Sequence, residues 1–285
     1  MMRKKPMLAY PVSSKPIDYN NKLVFIQPKL DGVRCLIQCD GNPAKRGIVA
    51  YSRTGKEWKN IDHILEQLIP FFIKFPNVIL DGELYNHDLR DNFEKIISLV
   101  RKTKPTDEDR LEASKLTQFH CYDIIDEKLP FDQRNHFINQ SLMLLGDSIC
   151  IVDTDMVFRE DDARVYHARN LDKGYEGSIV RTNGTYQCKR SHNLRKFKDF
   201  SDSEAKIIDW VEGKGKRIGT IGKFVAVDAN GNEFGMPVMD KFEYLQNNFK
   251  EMQGWVGKTA TFTYFERTKA GSYRHPLFKT IRDYE

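Results

Sequence analysis

Lys29-Leu30-Asp31-Gly32-Val33-Arg34 is the stretch that decides how this chain folds. The apolar runs on either side, Val24-Phe25-Ile26 and Cys35-Leu36-Ile37, are typical of strands, so the six residues predict the turn of a strand–loop–strand unit. A lysine on such a turn can act as an amine nucleophile once it loses a proton, because an ordinary lysine with a pKa of about 10.4 is protonated at neutral pH. The alternative is a β-hairpin that carries a solvated lysine and aspartate.

Five further segments follow the hexapeptide, and the six together resemble the motifs of the covalent nucleotidyltransferases, which are ATP-dependent DNA ligases, RNA ligases and mRNA capping enzymes. The likeness runs from about residue 20 to the C-terminus. The second and fifth motifs are closer to those of DNA ligases than to those of capping enzymes. The five segments are Ser52-Arg53-Thr54-Gly55, Asp81-Gly82-Glu83-Leu84, Tyr122-Asp123, Glu176-Gly177-Ser178-Ile179-Val180-Arg181 and Lys196-Phe197-Lys198.

The resemblance implies an ATP-dependent DNA ligase of minimal form. Such an enzyme seals 5′-phosphate/3′-hydroxyl nicks in duplex DNA through a lysyl-AMP and a DNA-adenylate, and serves DNA repair, replication and recombination. An RNA ligase or mRNA capping-type nucleotidyltransferase is the alternative enzyme. A non-catalytic nucleic-acid-binding protein that kept the fold is the alternative of another class, and the intact Lys29, Glu83, Glu176 and Lys198 argue against it.

The resemblance also implies roles for individual residues toward ATP. Lys29 is the expected nucleophile, and Lys196 and Lys198, which alternate and so share one face of a strand, are expected on the α-phosphate as further catalytic residues. Tyr122 is expected to stack on adenine, with core packing as the alternative. The remaining expected nucleotide contacts are Gln27, near the adenine amino group, Arg34, Glu83 and Glu176.

Two carboxylates are candidates for a divalent metal. Glu83 and Glu176 each lie beside a glycine at the predicted end or start of a strand. Mg²⁺ is usually held by one or two carboxylates together with substrate phosphates. The resemblance therefore implies Mg²⁺ (or Mn²⁺) at Glu83 and Glu176. If either glutamate is considered without the other motifs, its pattern indicates a solvated turn.

The nucleic-acid contacts are expected on basic side chains, because planar guanidinium groups and lysine amines suit phosphate. A solvated basic loop is the alternative for the cluster around Lys196. This chain does not fully match the last motif of the family, because Asp283 comes one place early and Glu285 stands where the family has a lysine. The expected DNA-binding residues are Arg34, Arg53, Lys214, Lys216, Arg217 and Arg282.

Strand and helix patterns alternate up to residue 199 and predict an α+β fold. The first part, residues 1–199, is expected to be an antiparallel-sheet adenylyltransferase domain of the ATP-grasp-like ligase type. Strand patterns punctuated by glycines predict a small OB-fold β-barrel over residues 200–285, with one helix from Lys241 to Lys250. Four helices are predicted in the first part, over 61–72, 93–100, 131–145 and 159–171.

Composition sets the remaining expectations. A net charge of +5 is compatible with a polyanionic partner, and five cysteines without a C-x-x-C pair indicate a reduced, intracellular protein without a zinc finger. No apolar run follows the basic N-terminus, so we expect no membrane segment and a cytoplasmic protein of bacterial or phage-like origin. Its expected partner is nicked duplex DNA, around which a monomer closes.

Overall fold

The computed structural model describes residues 4–45, 47–90, 92–198, 201–264, 267 and 271–282. The chain divides into two compact units, Met1–Lys198 and Asp199–Glu285. The predicted domain boundary falls on residues 199 and 200, which lie outside the described residues. Asp283, Tyr284 and Glu285 of the divergent C-terminal motif lie outside them as well.

Two five-stranded sheets form the first unit. The strands of its first sheet are β1 (Leu8–Pro11), β2 (Val24–Pro28), β8 (Asp155–Val157), β9 (Ser178–Thr182) and β10 (Arg190–Phe197), in the order β1-β10-β9-β2-β8. Only the β1–β10 pair is parallel among these strands. Helix α6 (Glu160–Asp172) packs on this sheet through Ala163, which joins a small core with Val24, Ile26 and Val180.

The second sheet holds the main core of the unit. Its strands are β3 (Val33–Cys39), β4 (Ile48–Tyr51), β5 (Ile79–Tyr85), β6 (Gln118–Ile124) and β7 (Ile149–Ile151), in the order β4-β3-β5-β6-β7. The β6–β7 pair is parallel and the others are antiparallel. Buried side chains of the sheet and of its helices form one apolar cluster, which stabilises the unit because that surface is removed from water. The helices are α1 (Asp62–Gln67), α2 (Ile69–Lys74), α3 (Phe93–Val100), α4 (Asp107–Leu116) and α5 (Phe131–Leu142).

The loop after β2 links the two sheets. Strand β2 belongs to the first sheet and β3 to the second, so the strand–loop–strand prediction is confirmed and the hairpin alternative is wrong. A Cβ atom on Gly32 would lie 2.4 Å from the carbonyl oxygen of Leu84, so the turn requires glycine there. Cys35 and Cys39, on one face of β3, are buried as expected.

The helix predictions are confirmed over 93–100 and differ elsewhere. The predicted helix over 61–72 is wrong as a single element, because the chain breaks at Leu68 and Pro70 opens α2, where its missing N–H costs little. The two other predicted helices correspond to α5, which ends at Leu142, and to α6, which begins at Glu160. Helix α4 was not predicted, and its N-terminus is closed by a capping box between Thr106 and Asp109.

The second unit is a separate five-stranded antiparallel sheet with its own core. Its strands are β11 (Ser201–Glu212), β12 (Ile221–Val227), β13 (Glu233–Pro237), β14 (Thr259–Tyr264) and β15 (Leu277–Ile281), in the order β13-β12-β11-β14-β15. The predicted helix over Lys241–Lys250 divides into α7 (Phe242–Asn247) and α8 (Phe249–Gln253). Phe224, Met236 and Phe262 lie fully buried at the centre of the core.

The mixed α/β character with largely antiparallel sheets is therefore confirmed. Throughout the described part of the chain, the helices are too short or too polar to span a bilayer.

Candidate active site

Lys29 is fixed at the end of β2 by its own backbone. Its N–H donates to the carbonyl oxygen of Gly177 at 2.9 Å, and its carbonyl oxygen accepts from the N–H of Glu176 at 3.1 Å. Gly177 has a φ of 143°, and a Cβ atom there would lie 2.4 Å from the carbonyl oxygen of Phe197. Only glycine allows this close approach, so the backbone brings together the first, fifth and sixth of the sequence motifs.

The side chain of Glu176 joins two of the predicted catalytic lysines. Lys29 forms an ion pair with one of its carboxylate oxygens and Lys198 with the other. The Glu176 and Lys198 side chains are only 5% and 8% exposed, whereas that of Lys29 is 22% exposed. Charges this far from water interact more strongly than surface pairs do, so the three groups form one electrostatic unit.

A cavity of about 320 Å³ opens beside Lys29. Among the described residues, its charged lining consists of six cationic side chains and one carboxylate, that of Glu83. Apolar and neutral groups, among them Tyr122, Ile179 and Gln27, line the rest of the wall. Such a lining suits a ligand with several negative charges and a planar ring. The six cations are Lys29, Arg34, Arg53, Arg181, Arg190 and Lys196.

The side chains of Glu83 and Tyr122 both lie in the wall of the cavity and contact each other. The Tyr122 hydroxyl donates to Oε2 of Glu83 at 3.2 Å. Burial raises the pKa of Glu83 to about 7, although the nearby charges of Arg34 and Lys29 act in the opposite direction. Glu83 lies inside β5, so its predicted place at a strand end is wrong, whereas Glu176 does precede β9 as expected.

Arg34 is held by a carboxylate within the protein. Its Nε and one terminal nitrogen donate to the two oxygens of Asp81, at 2.6 and 2.5 Å. The hydroxyl of Tyr186 donates to the same carboxylate at 2.7 Å. The Arg34 guanidinium lies 5.2 Å from the centre of the Tyr122 ring, which fixes both at the cavity wall. Arg34 therefore lines the cavity as expected, with much of its donor capacity already used.

A buried network fixes the amide of Gln27. Its Oε1 accepts from Nε of Arg181 at 2.6 Å, and its Nε2 donates to Oγ1 of Thr154 at 2.8 Å and to the carbonyl oxygen of Tyr122 at 3.3 Å. Arg181 also donates to Asp123 at 2.6 Å, and Asp123 accepts from Arg134 at 2.7 Å. Sequence reasoning assigned no role to Arg181, Arg134 or Thr154. Arg181 is the last residue of the fifth motif, the one signal that pointed to it.

Arg53 and Lys196 both line the cavity, and Arg53 is the more exposed of the two. Arg53 is exposed on the turn that Ser52, Thr54 and Gly55 form after β4, where the Gly55 N–H donates to the Ser52 carbonyl oxygen at 2.9 Å. No hydrogen bond or ion pair of the Arg53 side chain occurs within the described ranges. Its guanidinium is therefore available to a ligand.

The remaining predicted contacts lie in the second unit. Lys214 and Lys216 are exposed in the β11–β12 loop, and Arg217 donates to the carbonyl oxygen of Val238 at 3.1 Å. Arg282 forms an ion pair with Glu204. The loop is thus basic and accessible, while Arg217 and Arg282 also serve the unit itself.

The carboxylates at the cavity suit a metal that binds together with a ligand. The described residues contain no cluster of three or more His, Cys, Asp or Glu side chains that would hold a metal ion alone. Glu83 at the wall and Glu176 beside Lys29 offer hard oxygen donors, one or two of which suffice for Mg²⁺ when phosphates supply further ligands.

The fold agrees with comparisons to known proteins. The model of the ATP dependent DNA ligase domain matches residues 6–198. The chain belongs to this family, as its motifs indicated.

Relatives and solved structures give the extent of the likeness. A DNA ligase of African swine fever virus is 31% identical over 206 residues, covering 69% of this chain and 47% of the viral protein. A DNA ligase of Enterobacteria phage T4 is 25% identical over 245 residues, covering 71% and 50%. The chain thus spans about half the length of the curated relatives it matches.

Among solved structures, a Lig E DNA ligase superimposes with a TM-score of 0.76 at 22% identity, covering 99% of this chain and all of that one. An ATP-dependent DNA ligase from bacteriophage T7 in complex with ATP gives a TM-score of 0.56 at 18% identity, covering 98% of each chain. At these identities the structural likeness concerns the fold.

Proposed function

We propose that this chain is an ATP-dependent DNA ligase that seals 5′-phosphate/3′-hydroxyl nicks in duplex DNA. The observation that carries the proposal is the pairing of Glu176 with both Lys29 and Lys198 beside a cavity whose described lining holds six cations and one carboxylate. A lysine of this kind can serve as a nucleophile toward a phosphorus atom, and the surrounding cations can stabilise the charge that develops there.

Lys29 takes AMP from ATP in the first step. Its deprotonated amine attacks the α-phosphorus, a nitrogen–phosphorus bond forms, the bond to the β-phosphate oxygen breaks and pyrophosphate leaves. The ammonium proton must leave Lys29 first, and Glu176 is the carboxylate in contact with it. Lys196 and Lys198 hold the α-phosphate oxygens, which lowers the cost of charge on the transferring group.

The other cavity residues bind and orient the nucleotide. The ring of Tyr122 packs against adenine, and the fixed amide of Gln27 presents Oε1 to the amino group of the base. Glu83, Glu176 and the phosphates would hold Mg²⁺ (or Mn²⁺), which neutralises phosphate charge when it is bound. Glu83 and Arg34 approach the ribose.

The AMP then passes to the 5′-phosphate of the nick, and attack by the 3′-hydroxyl releases it. Arg53, exposed at the cavity rim, contacts the 5′-phosphate.

We further propose that residues 1–199 form an adenylyltransferase domain and residues 200–285 an OB-fold domain. In the second unit β13 and β15, the two ends of the sheet order, also lie next to each other, as in a closed barrel.

The second unit supplies further phosphate contacts through Lys214, Lys216, Arg217 and Arg282, and the protein acts as a monomer that closes around DNA.

Two measurements test the proposal. Incubation with labelled ATP and Mg²⁺ should label the protein with AMP, which a binding module would not do. Sealing of nicked duplex DNA but not of nicked RNA should follow, whereas the reverse preference would indicate an RNA ligase.

A further inference from the structure

The edge of the first sheet carries a surface that adjoins the proposed site and shares Arg190 with its lining. We call residues 10–15 and 189–195 the basic strip. They contain four cations, Lys15, Lys189, Arg190 and Arg195, together with Tyr10 and His192, and no aspartate or glutamate. In a chain where basic and acidic residues nearly balance, so one-sided a composition on β1, β10 and the residues next to them marks a positive patch.

The pairing of β1 with β10 is irregular within this strip. Ala9 pairs with Ser191, but Tyr10 pairs with Arg195, so residues 192–194 form a bulge in β10. The bulge is held by the N–H of Asn193, which donates to Oγ of Ser191 at 3.1 Å. Bulges of this kind often re-aim side chains next to active sites.

The bulge places an imidazole flat against a tyrosine. The rings of His192 and Tyr10 are stacked with centres 4.1 Å apart and planes 9° from parallel. The Arg190 guanidinium lies 5.6 Å from the centre of the Tyr10 ring. Stacked rings bordered by cations are a common surface for nucleic-acid strands, because the rings meet sugars or bases while the cations meet phosphates.

Arg195 holds the backbone of the strip in place and does not add to its exposed positive charge. It is only 5% exposed, and it donates to the carbonyl oxygens of His192, at 2.9 Å, and of Lys15, at 2.5 Å. These bonds fasten the segment after β1 to the bulge. Lys15, Lys189 and Arg190 are exposed on this base, so the backbone that carries them is already held in place before a ligand binds.

The strip borders the nucleotide cavity. Leu8 and Ala9 of β1 and Arg190, Leu194 and Lys196 of β10 all line that cavity. The carboxylate of Glu127 lies by Cys188, the residue before Lys189, and is engaged by Lys4. A strand whose 5′-phosphate enters the cavity has to leave it over one of its borders, and the basic strip is a border whose own residues include cations and no carboxylate.

We propose that the basic strip binds the DNA backbone next to the nick, with Lys15, Lys189 and Arg190 on phosphates and the Tyr10–His192 stack against a sugar or base. This inference rests on the proposed ligase function and adds a contact surface in the first unit. Binding through phosphates should be salt-dependent, with a log–log slope of about 0.9 for each contact.

The double variant Lys15→Ala with Lys189→Ala tests the strip in the full-length protein. Binding of nicked duplex DNA should weaken roughly tenfold or more near 0.1 M salt, and the salt slope should fall by about two. AMP labelling should stay at the level of the unmodified protein, because neither lysine lines the cavity. Lys115→Ala with Arg169→Ala, which removes two exposed cations from α4 and α6, is the matched control and should change neither quantity.

Tyr10 provides a second test. Tyr10→Ala should weaken binding several-fold because the ring that supports His192 and Arg190 is lost, whereas Tyr10→Phe keeps the ring and should bind as the unmodified protein does. Unchanged affinity and slope in the lysine double variant would overturn the inference while leaving the ligase proposal intact. Absence of both AMP labelling and sealing in the unmodified protein would instead overturn the proposed function, and the binding series would still decide the role of the strip.

Discussion

The amine of Lys29 donates to the carboxylate of Glu176, and each backbone reinforces the contact, since the Glu176 N–H donates to the Lys29 carbonyl oxygen at 3.1 Å. The two residues are 147 positions apart in the sequence. The fold therefore sets the position of the nucleophile twice, through the main chain and through the ion pair. Because the lysine is already held in place, less conformational entropy is lost when a nucleotide binds.

Glu176→Ala should reduce AMP labelling by factors of tens to hundreds. The substitution leaves the Lys29 and Lys198 ammonium groups close together without their shared carboxylate and removes a candidate metal ligand. Glu57→Ala, which removes an exposed carboxylate paired with Lys59, is the control and should label normally. Rapid labelling by the Glu176 variant would show that the carboxylate is dispensable.

Arg53→Ala should impair nick sealing more than AMP labelling. Arg53 is exposed at the cavity rim, where it can meet a nick phosphate, and loss of one charge-assisted contact costs about 1.5–3 kcal/mol. Single-turnover assays of labelling and of sealing on a pre-adenylylated nick separate the two steps. Equal losses in both steps would assign Arg53 to the nucleotide.

Thr154→Val should weaken the preference for ATP over GTP. Thr154 and Arg181 together hold the Gln27 amide in one orientation. In the proposed binding mode its Oε1 accepts a hydrogen bond from a 6-amino group, which a 6-oxo group cannot supply. Without the threonine hydroxyl one of the bonds that fix this orientation is lost, while the bonds to Arg181 and to the Tyr122 carbonyl oxygen remain, so the loss of preference should be partial. The ratio of labelling rates with ATP and GTP measures this, and Thr280→Val in the second unit is the control. An unchanged ratio would contradict the role of the network.

Glu83→Gln should change how stability depends on pH. Because burial raises the Glu83 pKa to about 7, the folded protein binds this proton more tightly than the unfolded chain does, and the stability from the protonated carboxyl is lost as pH rises from about 4.5 to 7. Glutamine has no such proton to lose. The unfolding temperature of the variant minus that of the unmodified protein should increase over this range and then level off. A difference independent of pH would show that Glu83 keeps an ordinary pKa.

The sequence predicted local motifs and single strands better than it predicted how distant segments pair in the fold. Lys29, Glu176 and Lys198 carry their signal in neighbouring residues, and the strand patterns around them were largely correct. By contrast, a period of two cannot tell that β2 and β3 belong to different sheets. Helix α4 has almost no apolar face, so only its capping box could have indicated it.

The supporting network around the cavity could not be predicted for a related reason. Arg181 reaches Gln27 over 154 positions and Asp123 over 58, and nothing in the local pattern of either residue specifies its partner. Arg34 was expected to face a ligand, but its bidentate bond to Asp81 forms only because β3 and β5 are neighbours. Pairing of buried charges depends on the tertiary fold, which places them within reach.

The central claim is that Lys29 becomes covalently adenylylated, and the most direct test is mass spectrometry of the protein after incubation with ATP and Mg²⁺. The unmodified protein should gain one AMP on a peptide that contains Lys29. Lys29→Ala and Lys29→Arg should gain none, since arginine keeps the charge but does not lose its proton, while both should still seal a pre-adenylylated nick to some extent. An AMP adduct in the Lys29→Ala protein, or an adduct on another residue of the unmodified chain, would contradict the account.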